Sequence, residues 1–468
     1  MFRLRAFASI IALLLLLAAA SHTRAADITG SIFGTVTDPS GAPVPGATVH
    51  IVNVDRNRTE RTLTTAADGN FTAELLPIGH YSIDVEAKGF KKATVSGIVL
   101  NVNDKLTYPV VLQVGDVTQS VTVEASPLEV QLQSAEQSTT ITGTQVRDLT
   151  LNNRNYEQLV TLMPGVSSTA SDQIYVGVSN PTGESNQVNF SINGSRPTQN
   201  NWTVDGADNL DRGANLTLLN YPSVDALQEF KVLRSDYSAE FGRAGGGQIN
   251  VVTKSGTSQF HGDAYEFNRN DAYSANSFLN DQSGIKEPPL RYNDFGWTLG
   301  GPIFIPHIYN REKNKTFFFV SEEFRRVITY SSFIATMPTT QMEQGIFAHP
   351  VCLSYTTTCT QTGTTVTNIN PVAAEYIKDI YSRSPTGAPG SFSTVTPIRN
   401  IYDFEQELYK IDHVFSPKLQ VSVRFLRDQI PTVEPGGLFT ASPIPGVSVT
   451  NTNSPGRSWV ARATSILS

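Results

Sequence analysis

The sequence predicts a mainly β protein in three parts: an N-terminal β-sandwich, a small α/β domain, and the first part of a transmembrane antiparallel β-barrel. Three observations carry this. Residues 29–115 fall into short alternating stretches divided by turn residues, residues 133–258 mix short helical and strand patterns, and from 259 the strands lengthen and gather aromatic residues on one side. The composition agrees: of 468 residues only 16% are charged and 39% hydrophobic, while Gly, Asn, Ser and Thr are abundant, as strands joined by long polar loops require. A net charge of −7 leaves no basic footprint, so nucleic acid is not an expected partner.

The first 25 residues read as a signal peptide. Arg3 and Arg5 form a positive start, Ile10 to Ala20 an apolar core, and Thr23-Arg24-Ala25 places cleavage after Ala25. The apolar run is too short to span about 30 Å of hydrocarbon. The densest later run is Phe317-Phe318-Phe319-Val320, so a mature chain in a membrane must cross it as a closed barrel. Export to an oxidising compartment makes Cys352 and Cys359 a candidate loop disulfide. Zinc would need four ligands, and only His349 stands near them, so no metal is expected.

In the first unit, stretches such as Ser31 to Val36, Ala47 to Val52, Tyr81 to Val85 and Thr107 to Leu112 alternate with period two, and Pro39-Ser40-Gly41, Pro45-Gly46, Asp68-Gly69 and Pro77-Ile78-Gly79 separate them. That pattern predicts a small antiparallel sandwich. In the second unit Thr144 is the expected cap of a helix carrying Val146 and Leu149. A second helical stretch with Tyr156, Leu159, Val160 and Leu162 stops at Pro164-Gly165. Strands follow at 188–192, 201–204, 229–233 and 248–253, with a helix-like Val224 to Gln228. Beyond 258, Tyr265 and Phe267 share one face, Phe295, Trp297 and Leu299 another, Tyr409 and Ile411 a third, and Leu419, Val421, Val423 and Phe425 a fourth. Apolar-out, polar-in alternation with long loops is the pattern of outer-membrane barrel strands.

These motifs also carry a resemblance. Gly34-Thr35-Val36-Thr37-Asp38, Gly41 to Ala47, Asp68-Gly69-Asn70-Phe71 and Gly79-His80-Tyr81 resemble the carboxypeptidase regulatory-like domain, a non-catalytic sandwich of a broad carbohydrate-binding-like superfamily. Ser191-Ile192-Asn193-Gly194-Ser195-Arg196-Pro197, then Trp202 to Gly206, Gln228 to Val232, Tyr237 to Gly242 and Gly245 to Gly256 resemble the plug domain of TonB-dependent receptors. Gly300-Gly301-Pro302-Ile303 and Asn314 to Phe319 are similar to the Oar-like branch of that family. The plug-motif positions so identified are Asn193, Gly194, Arg196, Asp205, Gly206, Glu229, Gly242, Gly246 and Gly247. The resulting division is signal peptide 1–25, sandwich 26–115, linker 116–132, plug 133–258 and partial barrel 259–468.

The family places a TonB box before the plug, where Gln119 to Ala125 forms a short β-prone segment. Val121, Thr122, Val123 and Glu124 are therefore the box candidate, and TonB with its inner-membrane energising complex is the implied partner. Pairing by strand addition draws on main-chain hydrogen bonds and needs little sequence. A plain linker or a last sandwich strand is the competing reading. Gly245 to Gly247 are followed by a strand, not a helix, which argues against a phosphate cradle. Asp205, Asp208 and Asp211 lie three apart but lack a calcium-loop pattern, and a solvated turn is the expected state. No elbow, zinc helix or Walker loop occurs, so neither catalysis nor a cofactor is expected.

The resemblance implies import across the cell outer membrane, with sandwich and box on the periplasmic side. The alternative is a surface adhesion or assembly protein whose sandwich binds carbohydrate or protein without transport. Substrate identity stays open among oligosaccharides, peptides and metal chelates. Only 210 residues follow position 258, enough for eight to ten strands at roughly 10 residues each, whereas plugged transporters use about 22. The last residues, Ile466-Leu467-Ser468, lack the closing aromatic residue of the family. The expectation is a C-terminally truncated chain.

Overall fold

A computed structural model describes residues 28–115, 120–124, 133–151, 154–168, 189–213, 215–355, 357–434, 444, 447, 450–453 and 455–466. The signal peptide, Gln119 and Ala125 lie outside the described residues. No described helix is long and apolar enough to cross a membrane.

The sandwich contains β1 (Thr29–Thr37), β2 (Thr48–Asn53), β3 (Arg58–Thr64), β4 (Asn70–Pro77), β5 (Gly79–Glu86), β6 (Lys92–Leu100) and β7 (Lys105–Val111), joined by β8 (Ser120–Glu124). One sheet runs β4-β1-β7 and the other β3-β2-β5-β6-β8. Alternate residues such as Ile32, Val49, Ile51, Phe71, Ile83 and Leu100 fill the space between them. Sequence reading misses β6. Gly97 adopts φ +79 in mid-strand, and the buried positions switch there from Ala93 and Val95 to Ile98 and Leu100, so alternation is interrupted.

The α/β domain is built on a five-stranded sheet. Its strands are β9 (Gln137–Thr142), β12 (Asn201–Val204), β13 (Ala207–Asp208), β14 (Leu227–Ser235) and β15 (Gln248–Thr253), in the order β13-β12-β15-β14-β9, with β10 (Val166–Ser168) and β11 (Phe190–Ile192) pairing beside it. Helix α1 (Gly143–Asp148) is capped by Thr142, not Thr144. The reason is a reciprocal box: Gln145 N donates to Thr142 Oγ1 at 3.3 Å, and Thr142 N donates to Gln145 Oε1 at 3.0 Å. The stretch Tyr156–Leu162 is a 3₁₀ helix, and the helix-like segment near 224 is one 3₁₀ turn, Val224–Ala226, before β14 begins at Leu227. Tyr156 packs against both Trp202 and Phe230 in the core.

The third part is an antiparallel meander of β16 (His261–Asn270), β17 (Arg291–Pro302), β18 (Thr316–Thr336), β21 (Ser393–Ser416), β22 (Leu419–Gln429) and β25 (Gly456–Ser465). Hairpin β19 (Ile346–Tyr355) and β20 (Cys359–Thr365) rises from the loop after β18, and β23 (Pro431–Glu434) and β24 (Thr450–Asn453) extend the far end of the sheet. Among the described residues this sheet has eight strands, six of them long, at the lower end of the eight to ten expected. Strand length varies widely: β18 has 21 residues and β21 has 24, while β23 and β24 have four each.

On β17, β21 and β22 the alternation falls as the sequence implies. Phe295, Trp297, Leu299, Tyr409, Ile411 and Val423 are exposed on the outer face, while Asp294, Thr298, Leu408, Lys410, Asp412 and Arg424 are buried on the inner one. Strand β16 departs from it. Tyr265 lies opposite Gly296 and Phe267 opposite Asp294, so both aromatic rings face inward. Their partner is Arg154 of the α/β domain, whose guanidinium lies 4.7 Å over Tyr265 and 4.2 Å over Phe267.

Candidate functional site

The α/β domain meets the inner face of the sheet through buried charge. Asp205 and Gly206 link β12 to β13 as a two-residue hairpin turn, and both have positive φ, +50 and +81. The turn drives the Asp205 carboxylate into the wall, where Arg424 Nε lies at 3.1 Å and Lys410 Nζ at 3.5 Å. Thr253 donates to the same carboxylate from its N at 2.9 Å and its Oγ1 at 2.8 Å. Burial opposes the charge, but the two cations and the Thr253 donors outweigh it and hold Asp205 below the usual carboxylate range.

A second contact lies further along the wall. Arg154 pairs with Asp225 inside the α/β domain and lies 3.5 Å from Asp294 of β17. Arg325 joins Asp294 at 3.0 Å and Glu323 at 2.8 Å, and Ser223 donates to Glu323 at 2.8 Å. Asp428 accepts from Tyr221 N at 2.8 Å and Asn220 Nδ2 at 3.0 Å. Burial raises Asp225, with Arg154 opposing. Sequence reading singles out none of Arg154, Ser223, Tyr221 or Asp225. The inward polar positions of β17 and β22 are its one available signal.

Glu229 faces the other way, toward the sandwich. Its Oε1 accepts from Val102 N at 2.5 Å, and neighbouring Lys231 reaches Val102 O at 3.0 Å and Asp104 Oδ1 at 2.8 Å. Burial pushes the Glu229 carboxyl up to about 7. The sandwich also touches the wall: Arg56 pairs with Asp412 at 3.0 Å, and Gln420 donates to Glu60 at 2.6 Å.

The other motif positions shape the α/β domain itself. Asn193 and Gly194 turn the chain after β11 with φ +52 and +77, and Asn193 Nδ2 donates to Arg234 O at 3.0 Å. Arg196 is exposed and opens the 3₁₀ turn Pro197–Gln199. Gly242 lies exposed, with open space where a side chain would stand. A side chain on Gly246 would run into Ser195 and Asn200, and one on Gly247 into Ile192, so both serve close approach. The N–H groups of Gly245, Gly246 and Gly247 are already bonded to Gln199 O and Asn200 Oδ1, which leaves no phosphate cradle.

The three aspartates diverge. Asp205 meets the wall, Asp208 pairs with Arg212 and Arg243, and Asp211 accepts backbone N–H groups of Gly213, Asn215, Leu216 and Thr217. Cys352 and Cys359 form a disulfide within the β19–β20 hairpin. Val121 to Glu124 lie in β8, the edge strand of the larger sandwich sheet, in parallel register with β6. At the opposite end of the wall a cavity of about 730 Å³ lies under the loop after β16, lined by Arg269, Asn280, Pro288, Tyr292, Tyr330 and Tyr402.

Three family profiles match the chain in series: a carboxypeptidase regulatory-like domain over residues 31–113, a TonB-dependent receptor plug domain over 131–248, and an outer membrane beta barrel domain over 252–468. The chain is 27% identical over 308 residues to the TonB-dependent transporter Oar of Myxococcus xanthus, covering 62% of this chain and 26% of the relative. It thus spans about a quarter of the length of that curated relative. Among solved structures it is similar to the outer membrane transporter YddB of Escherichia coli, at TM-score 0.40 and 13% identity over 64% of this chain and 33% of that one. It is also similar to the siderophore receptor PirA of Acinetobacter baumannii, at TM-score 0.36 and 14% identity over 65% and 33%.

Proposed function

We propose, from the premise that this chain is an outer-membrane protein of the TonB-dependent receptor family with plug, barrel and carboxypeptidase regulatory-like domains, that it serves energised import and performs no catalysis of its own. The observation that carries this reading is the plug's seat on the inner wall through Asp205, Lys410 and Arg424. Such a seat closes a path while remaining separable, because it is built from ion pairs and hydrogen bonds that water can replace.

The placement of the sandwich supports a direction. Arg61 donates to Pro417 O at 3.1 Å in the two-residue turn between β21 and β22, and Arg58 to Asn314 O at 3.5 Å in the β17–β18 connection at the same end of the sheet. Short turns of outer-membrane barrels face the periplasm. The sandwich and β8 therefore sit where TonB acts, which disfavours a surface-adhesion role. The cavity under the long loop, with its tyrosines and Arg269, is the candidate substrate entrance on the far side.

The test is deletion of residues 119–125. Import by this route predicts that the deletion abolishes binding of the TonB C-terminal domain to the detergent-solubilised chain while leaving it folded. Unchanged binding would overturn the reading.

A further inference from the structure

The box candidate is not free. Five residues of β8 pair in parallel with β6: Lys92 with Ser120, Ala93 with Val121, Thr94 with Thr122, Val95 with Val123 and Ser96 with Glu124. Among the described residues the last pair, Ser96 with Glu124, lies one residue before Gly97, which takes φ +79 within β6. Val123 is 54% exposed, and Thr122 and Glu124 are exposed beside it. Main-chain pairing, with little apolar burial, therefore holds β8 in place. Short edge pairs of this kind lie at the low-stability end of a fold.

The body that holds β8 is itself fastened on two sides. It is tied to the plug through Val102 and Asp104 with Glu229 and Lys231, and to the barrel wall through Arg56 with Asp412 and Glu60 with Gln420. A pull on β8 while it stays on β6 is shared between the plug, which must move, and the wall, which must not. A pull on β8 after it has left β6 passes along the chain to β9 of the plug alone.

We propose that the sandwich is an inhibitory clamp on the TonB box: β8 rests on β6, and TonB engages it only after it detaches. This rests on the reading of β8 as the box. The clamp taxes TonB affinity by the fraction of time β8 is released.

The experiment uses the whole chain with Thr94→Cys and Thr122→Cys, whose backbones lie opposite in the ladder. A brief oxidant pulse in detergent reports β8 on β6 as an intramolecular cross-link, and the parent chain with its Cys352–Cys359 bridge controls for oxidant and reductant. The clamp predicts efficient cross-linking without TonB, a fall of about tenfold with saturating TonB C-terminal domain, and a loss of about tenfold in TonB affinity for the pre-linked form, restored by reductant. Failure to cross-link without TonB overturns the clamp. Equal cross-linking and equal affinity in both states also overturn it, since TonB would then join the free edge of β8. If TonB binds the 119–125 deletion as well as the parent, the box reading fails, and the clamp with it, whatever the cross-link yields.

Discussion

Asp205 of the plug and Arg424 of the barrel wall meet at 3.1 Å, each almost wholly buried. Asn fits the same turn, because it tolerates positive φ. Asp205→Asn should therefore keep the hairpin but strand two buried cations, at a cost of about 3–5 kcal/mol. Trp202 lies in the adjoining strand, so its emission during thermal unfolding in detergent reads the loss. An unchanged melting temperature would show that the pair does not hold the plug.

Glu157 is buried in the plug core beside Tyr156 and Tyr221, and burial pushes its carboxyl up to about 8, with Tyr221 opposing. A carboxyl raised in the fold binds a proton that the unfolded chain has already lost. Stability therefore falls as pH rises from the unfolded value, near 4.5, to about 8, and this contribution is flat above that. Glu157→Gln should remove that slope. Melting temperatures of both forms between pH 5 and pH 9, in about one-unit steps, check it.

Lys231 joins the plug to Asp104 of the sandwich. Asp104 also accepts hydrogen bonds from Asn101, so Lys231→Met leaves it partly satisfied, and the loss should be on the order of 1–3 kcal/mol. Limited proteolysis read by mass spectrometry should then cut the linker 116–132 several-fold faster.

Val423 lies on the outer face between Ile411 and Ala461. Val423→Arg puts a charge into lipid and should cost about 2–4 kcal/mol at mid-depth, read by urea titration in vesicles. A neutral result would mean that this face does not meet hydrocarbon.

The Cys352–Cys359 bridge closes a short hairpin in the loop after β18. Replacing both by Ser should change the global melt by less than about 1 kcal/mol. Protease should nevertheless cut between β19 and β20 more readily.

The fold was legible wherever one side chain in two reported its face. Phe295, Trp297 and Leu299 mark the outer face without help from any neighbour. Tyr265 and Phe267 misled because their inward environment is made by Arg154, more than a hundred residues upstream, and no local pattern records it. Strand β6 was hidden by Gly97, which resets the alternation in mid-strand. Asp205-Gly206 could be read as a turn, but not as a contact with Arg424, since a buried ion pair between distant segments leaves no periodicity. Glu229 and Asp205 belong to one motif set, yet they face opposite neighbours.

The inward row of Lys410, Asp412 and Arg424 has a further meaning for assembly. Without the plug and the sandwich against them, these charged groups would take their hydrogen bonds from water. Docking the Asp205 turn dehydrates Lys410 and Arg424 together, and the sandwich's Arg56 does the same for Asp412. Wall and contents thus complete each other's solvation shell. Seating the plug and the sandwich on the wall therefore requires the expulsion of water from this seam.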